Sequence, residues 1–303
     1  MTKEIRYSIV DVFTNTPFAG NPLAVVHNGS NLSTDEMQKI ATEFGFSESS
    51  VICPPDNDQT NAKVRIFTPH EEIPFAGHPN IGTAWVIANK ETAANYNNSE
   101  NLIFDEKGGI VDVTLISEDD TVTGANIIAP QQLEIYGHPD FNLMAECLGL
   151  KSDQLIASRE IPCVASVGLP FAFVEVDNVD SLGAVKLNLS AFEKAADVGP
   201  ETVDGFCICA FSITKEEGHD CYVRSRVFSP LGSPIEDPAT GSASGALGAL
   251  LANKYNRVPL TIYITQGVEM GRRSNITVTI PQIPCQSIIS GHCVSISDGV
   301  IFI

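Results

Sequence analysis

Glu236-Asp-Pro-Ala-Thr-Gly-Ser-Ala-Ser-Gly-Ala-Leu-Gly-Ala-Leu-Leu251 is the stretch on which the reading of the whole chain turns. Asp237 has a side chain suited to an N-cap, and Pro238 suits the first helical position, where a missing N–H costs nothing. From Ser242 onward the residues are small or apolar on every side, the pattern of a helix buried all round. Such a helix start aims unpaired N–H groups, here those of Thr240, Gly241 and Ser242, into the interior beside a carboxyl group. Those donors need an acceptor, and a small anion is one candidate. A well-capped core helix without a ligand is the competing reading of this stretch alone.

At 303 residues the chain can form one large domain or two ordinary ones, each with a proper core. Its composition is globular, and a formal net charge of −19 excludes nucleic acid and anionic membrane surfaces as expected partners. There is no apolar run of the ~18 residues needed to span a membrane. The first ten residues show no apolar core followed by a small-residue cleavage site. The 8 cysteines are therefore expected to be reduced and mostly buried in a cytoplasmic protein. Cys207 and Cys209 share one strand face and no CxxC pair exists, which disfavours a zinc site, so no metal is expected.

Outward from the opening stretch, alternation of apolar and polar residues predicts many short strands. They include 5–13, 23–26, 46–52, 63–68, 102–104, 110–115 and 124–128, then 163–167, 171–176, 206–212, 220–228, 260–265, 276–280 and the tail from 293. Ser33-Thr-Asp-Glu36 is a capping box opening a helix that stops at Gly45. Further helices are expected over 81–88, 142–149 and 190–196, a polar linker over 96–101 and a domain junction at Pro130-Gln-Gln. The chain also repeats itself. Arg65-Ile-Phe-Thr-Pro69 matches Arg226-Val-Phe-Ser-Pro230, and His78-Pro-Asn-Ile-Gly-Thr-Ala84 matches Asp237-Pro-Ala-Thr-Gly-Ser-Ala243. Two halves on one plan, strand, loop and buried helix, predict two related domains. This alignment pairs His78 with Asp237, each at the positive end of a helix.

Two facing helix N-termini suit a carboxylate, or an enolate forming beside one. Removing a proton from a carbon next to a carboxyl group also needs a base. Glu48 lies among small hydroxylated residues and could serve if its surroundings lifted its pKa from about 4.3 toward neutrality. His78 and Asp237 are candidates for hydrogen bonding and proton transfer. Each has a plainer reading: Asp before Pro is commonly an N-cap, a lone His is more often structural, and a Glu beside a short strand usually faces water.

The blocks Asp11-Val-Phe through Phe18-Ala-Gly-Asn-Pro22, Phe46-Ser-Glu-Ser50 and Glu72-Ile-Pro-Phe-Ala-Gly-His-Pro79 resemble the PhzF-like proteins of phenazine biosynthesis. So do Asp237-Pro-Ala-Thr-Gly-Ser-Ala243 and Gln266-Gly through Met270-Gly-Arg272, in the same order over almost the whole chain. The resemblance implies an α/β (α+β) fold like that of diaminopimelate epimerase. Two similar, pseudo-symmetric domains would each curl a mixed β-sheet around a central buried helix. The expected domains are 1–129 and 130–289, with a strand at 290–303 returning to the first. It further implies a homodimer, no metal or organic cofactor, and an isomerase acting by acid/base catalysis on a small carboxylated metabolite held between the domains. Glu48 would be the base, and His78 and Asp237 the orienting and proton-relaying groups. Gly77, Gly241 and Ser242 would hold the substrate carboxylate. Relatives that racemise amino acids carry paired cysteines at the two helix starts, so His78 and Asp237 disfavour a two-thiol mechanism. Arg273 stands where the family often has Pro. Competing functions are a non-catalytic metabolite-binding protein that keeps the cleft, and a serine hydrolase using Ser242. The latter is disfavoured because Ala243 occupies the centre of the local Gly-x-Ser-x-Gly frame.

Overall fold

The computed structural model of the chain describes residues 3–90, 92, 96, 99–158, 161–200, 202, 205–232, 235–284 and 286–303. Cys285 and part of the linker expected over 96–101 fall outside them. The chain divides into two units, Met1–Ile128 with Ser290–Ile303, and Ala129–Ile289.

In the first unit, strand Glu4–Val12 is antiparallel to Asn21–Val26 on one side and to the final strand, Gln286–Phe302, on the other. Asn21–Val26 runs parallel to Ser49–Cys53, which is antiparallel to Ala62–Phe67. Ala62–Phe67 pairs antiparallel with the two-residue strand Glu72–Ile73 and parallel with Asn101–Glu106, which turns back into Gly109–Glu118. A parallel step needs a crossover, and helices Thr34–Phe44 and Gly77–Lys90 supply the two. The first is amphipathic and starts on the expected capping box, with the Ser33 side chain accepting from the Glu36 N–H and Gly45 closing it at φ 64°. The second is buried continuously from Gly77 to Ile87. It is buried because small residues let neighbouring strands approach its backbone. A Cβ on Gly82 would lie 2.5 Å from Leu23 Cδ2 and 2.9 Å from a Val12 methyl. Gly82→Val is therefore expected to lower the unfolding free energy by roughly 1–3 kcal/mol or more, read as a shift in denaturant midpoint at unchanged slope.

The second unit repeats this order. Cys163–Ser166 is antiparallel to Phe171–Glu175, which runs parallel to Ile208–Glu217, itself antiparallel to Asp220–Phe228. Asp220–Phe228 pairs antiparallel with the two-residue strand Glu236–Asp237 and parallel with Leu260–Gln266, which turns back into Ser274–Ile280. Its crossovers are Val179–Gly183 with Leu189–Val198, and then Gly241–Tyr255. This last helix is buried from Ala243 to Ala252, as its all-round small and apolar sequence requires. Outer helices Phe141–Leu148 and Leu189–Val198 bury Met144, Leu148 and Phe192 against Phe206 and Ile208.

Pro130 lies inside the strand Thr121–Gln132, two residues after Ile128, where the first unit gives way to the second, so the division falls beside the expected junction. Two sequence expectations are corrected. The opening helix begins at Gly241, with Thr240 at the N-cap position, so Asp237 is not its cap and Pro238 is not its first residue. Asp237 belongs to the short strand before it. This also changes the alignment of the repeat. Phe67 faces Glu72 as Phe228 faces Glu236, and both helices then open on a glycine. Glu72-Ile-Pro-Phe-Ala-Gly77-His therefore matches Glu236-Asp-Pro-Ala-Thr-Gly241-Ser residue for residue. His78 corresponds to Ser242, and Asp237 to Ile73.

Candidate active site

Each unit presents a buried helix start held by the same device. Two N–H groups of the Arg65 guanidinium donate to Glu72, Nε to Oε1 at 2.7 Å and Nη2 to Oε2 at 2.8 Å, with the guanidinium carbon 5.2 Å above the Phe67 ring. Arg226 does the same to Glu236 at 2.8 Å in both bonds, 4.8 Å above Phe228, and also donates to the Leu182 carbonyl. Forked pairing fixes both carboxylate oxygens and so the short strand that carries them. The paired guanidinium holds the Glu72 carboxyl below its usual range. Each clamped Glu lies a few residues ahead of a helix N-terminus, whose backbone N–H groups carry partial positive charge.

In the first unit the helix start carries Gly77 and His78, both buried. Glu48 stands immediately before strand Ser49–Cys53, and its Oε2 lies 3.6 Å from His78 Nδ1. The His78 side chain is only 5% exposed and that of Glu48 21%, so the pair has a sheltered end and one open to a small molecule. Local packing sets this approach. Ser50 and Thr83 share a buried 2.6 Å hydrogen bond, locking the strand after Glu48 against the helix of His78. The Ser47 hydroxyl donates to Asn21 Oδ1, and the Asp11 carboxylate accepts from the Phe18 N–H, fixing the turn that the sequence marked as a motif. Asn80, fully buried, donates from Nδ2 to the Ala76 carbonyl just ahead of the helix.

In the second unit the Thr240 hydroxyl donates to Asp237 Oδ2 at 2.5 Å. Gln266, fully buried, accepts the Thr240 N–H and donates to the Asp237 carbonyl at 2.7 Å and to Thr240 Oγ1 at 3.1 Å. Of the three N–H groups expected to await a ligand, that of Thr240 is thus already taken. Those of Gly241 and Ser242 sit in the first helical turn and have no intrahelical acceptor. The structure thus brings Glu48 to His78 in one unit, and groups Asp237 with Gly241 and Ser242 in the other. Arg273 is exposed.

Sequence reading names Thr240, Gln266, Arg65 and Arg226 within motifs, but not the Gln266–Thr240 bridge or the two Arg–Glu clamps. The role of Gln266 could have been found from its place as a polar residue at the inward-facing end of an alternating strand. A Ser–His–Asp set does exist elsewhere, but it is wired against hydrolysis. Ser8 is fully buried, donates to Asp298 Oδ1 at 2.6 Å and bonds to His27 Nε2 at 2.8 Å. A serine that gives its proton to the carboxylate is not activated by the histidine. Among the described residues no three His, Cys, Asp or Glu side chains are grouped to hold a metal ion, and no helix is long and apolar enough to cross a membrane. Burial pushes the Cys209 thiol up to about 12.

Comparison with known proteins accords with this fold. The profile of the PhzC-PhzF family, described as phenazine biosynthesis-like protein, matches residues 10–299. The trans-2,3-dihydro-3-hydroxyanthranilate isomerase of Pseudomonas aeruginosa is 34% identical over 89% of this chain and 88% of its own length. An isomerase of Mesorhizobium japonicum is 31% identical over 98% of this chain and 99% of its own. Among solved structures, a PhzF-family phenazine biosynthesis protein of Bacillus anthracis superposes with a TM-score of 0.84 at 23% identity, covering 99% of this chain and 100% of that one. A hydroxyproline epimerase of Agrobacterium vitis shares the fold more distantly, with a TM-score of 0.62 at 11% identity over 99% of this chain and 93% of that one.

Proposed function

Because this chain belongs to the phenazine biosynthesis-like PhzC-PhzF family, and is an isomerase as its curated relatives are, we propose that it moves a proton between carbons of a small carboxylate-bearing substrate. The observation that carries this reading is the Glu48 carboxylate at 3.6 Å from His78 Nδ1, beside a buried helix start. Glu48 takes the proton from a carbon activated by a neighbouring carboxyl or carbonyl group. Negative charge then develops on that group, where fixed N–H dipoles stabilise it without reorganising. Gly241 and Ser242, with Gly77, hold the substrate carboxylate, while His78 and Asp237 orient the substrate and relay the proton back to a second carbon. No step calls on a metal or an organic cofactor.

The name of the Pseudomonas aeruginosa relative makes trans-2,3-dihydro-3-hydroxyanthranilate the first substrate to try, followed by other small unsaturated carboxylates. The test is incubation in D₂O with mass-spectrometric and NMR readout of carbon-bound deuterium. Deuterium at the carbon that gains the proton is the expected result. A compound that is tightly retained yet never exchanges or isomerises would overturn the reading in favour of a metabolite-binding protein.

A further inference from the structure

The corrected repeat pairs two buried residues that the sequence does not relate. Lys63 faces Asp105 across one parallel strand pair, and Arg224 faces Thr265 across the other. Lys63 and Arg224 each precede a clamping arginine by two residues, so Asp105 corresponds to Thr265 and Glu106 to Gln266. A glycine follows each, two residues after Glu106 and one after Gln266, against the equivalent proline. A Cβ on Gly108 would meet the Pro74 carbonyl oxygen at 2.7 Å, and one on Gly267 the Pro238 oxygen at 2.6 Å. Pro74 and Pro238 themselves correspond. Glu106 is 5% exposed and Gln266 fully buried.

Gln266 bridges the Asp237–Thr240 segment because an amide both donates and accepts. A carboxylate only accepts, whereas a carboxylic acid has one donor and one acceptor. Around Glu106 there are too many acceptors. Its Oε1 and Oε2 and the Asn80 Oδ1 are all buried without a hydrogen-bond partner. What the group lacks is a donor, and one proton supplies it. We propose that Glu106 is held as the neutral acid and is a positioning residue for His78, serving the first helix start through Asn80 as the Gln266 amide serves the second. Asn80 in turn donates to the Ala76 carbonyl, directly ahead of Gly77 and His78. The proposal rests on the isomerase reading only for the importance of His78.

Electrostatics agree with the geometry. Burial pushes the Glu106 carboxyl from 4.5 up to about 8, and the Asp105 carboxylate next to it adds to the rise. The nearby Asn80 amide opposes it, but its Nδ2 is committed to the Ala76 carbonyl and makes no geometrically sound hydrogen bond to Glu106. Lys63, opposite Asp105, is engaged by Asp56, and Gly109 lies opposite Glu106 itself. The folded protein keeps the proton where the unfolded chain has lost it. Stability is therefore highest below the unfolded pKa, falls as pH rises from about 4.5 to about 8, and is level above.

The test begins without any substrate. Denaturant unfolding of wild type and Glu106→Gln is compared from pH 4 to pH 9. The ratio of their unfolding constants is expected to grow with pH by up to about three powers of ten in favour of Glu106→Gln. An infrared band of a protonated carboxyl group, present in wild type at neutral pH and lost in Glu106→Gln, is expected alongside. A ratio that stays flat, or no such band, overturns the neutral acid. In the deuterium-exchange assay Glu106→Gln should sustain kcat at pH 7 and extend it to higher pH, while Glu106→Leu lowers kcat more than it changes KM. Equal kcat in Glu106→Leu and wild type overturns the positioning role and leaves the isomerase reading standing.

Discussion

Glu48→Gln is expected to fold normally and to lose solvent-proton exchange by about 10²–10⁴-fold, the usual contribution of a positioned general base. The substitution keeps the shape of the side chain and removes only its ability to take a proton. Its structural cost should be small, because the Glu48 side chain is partly open and lies at an ion-pair distance of 3.6 Å from His78, beyond a good hydrogen bond. A Glu48 that served merely as a counter-ion for His78 would give another pattern. Gln would then change binding or stability with little effect on turnover. Parallel measurement of kcat, KM and the denaturant midpoint separates the two, and exchange at the wild-type rate would remove Glu48 from the mechanism.

Arg226→Met carries the largest expected stability cost, about 3–5 kcal/mol, because it strands a largely buried carboxylate. The Arg226 and Glu236 side chains are 10% and 17% exposed, and the guanidinium also satisfies the Leu182 carbonyl. The equivalent change at Arg65 should cost less. Its side chain and that of Glu72 are 20% and 19% exposed, and water can reach what the substitution leaves behind. Urea unfolding of Arg226→Met, Arg65→Met and the double variant Arg226→Met/Glu236→Leu tests the argument. Removing both partners of the second clamp should recover much of the lost stability, since the penalty lies in the orphaned charge. Activity should not recover, because the strand that presents Asp237 would still have lost its clamp.

What the sequence made legible follows from the range of the forces involved. The capping box at Ser33, the end at Gly45 and the two helices buried all round were readable because caps and periodicity act within a few residues. The two-domain plan was readable because it is written twice. The start of the opening helix was misplaced because Glu236–Asp237 pairs with Val227 and Phe228, and a two-residue strand has no periodicity of its own. With that strand unseen, Asp237 looked like a cap and was aligned with His78 rather than with Ile73. Glu48, His78, Asp237, Gly77, Gly241 and Ser242 were named from motifs. The roles of Gln266 and Arg226 in holding them depend on contacts with segments remote in sequence, and no motif shows these. Glu106 and Gln266 hold equivalent places in the two units but share no local motif, so only strand register relates them.

The central proposal is that Glu48, beside His78, takes a proton from a carbon of the bound substrate. A crystal structure of the Glu48→Gln protein with a bound, non-reacting carboxylate tests it most directly. The account predicts a C–H of the ligand, on a carbon next to its carboxylate, facing residue 48 beside His78. A bound ligand with no carbon in contact with residue 48 would contradict the account.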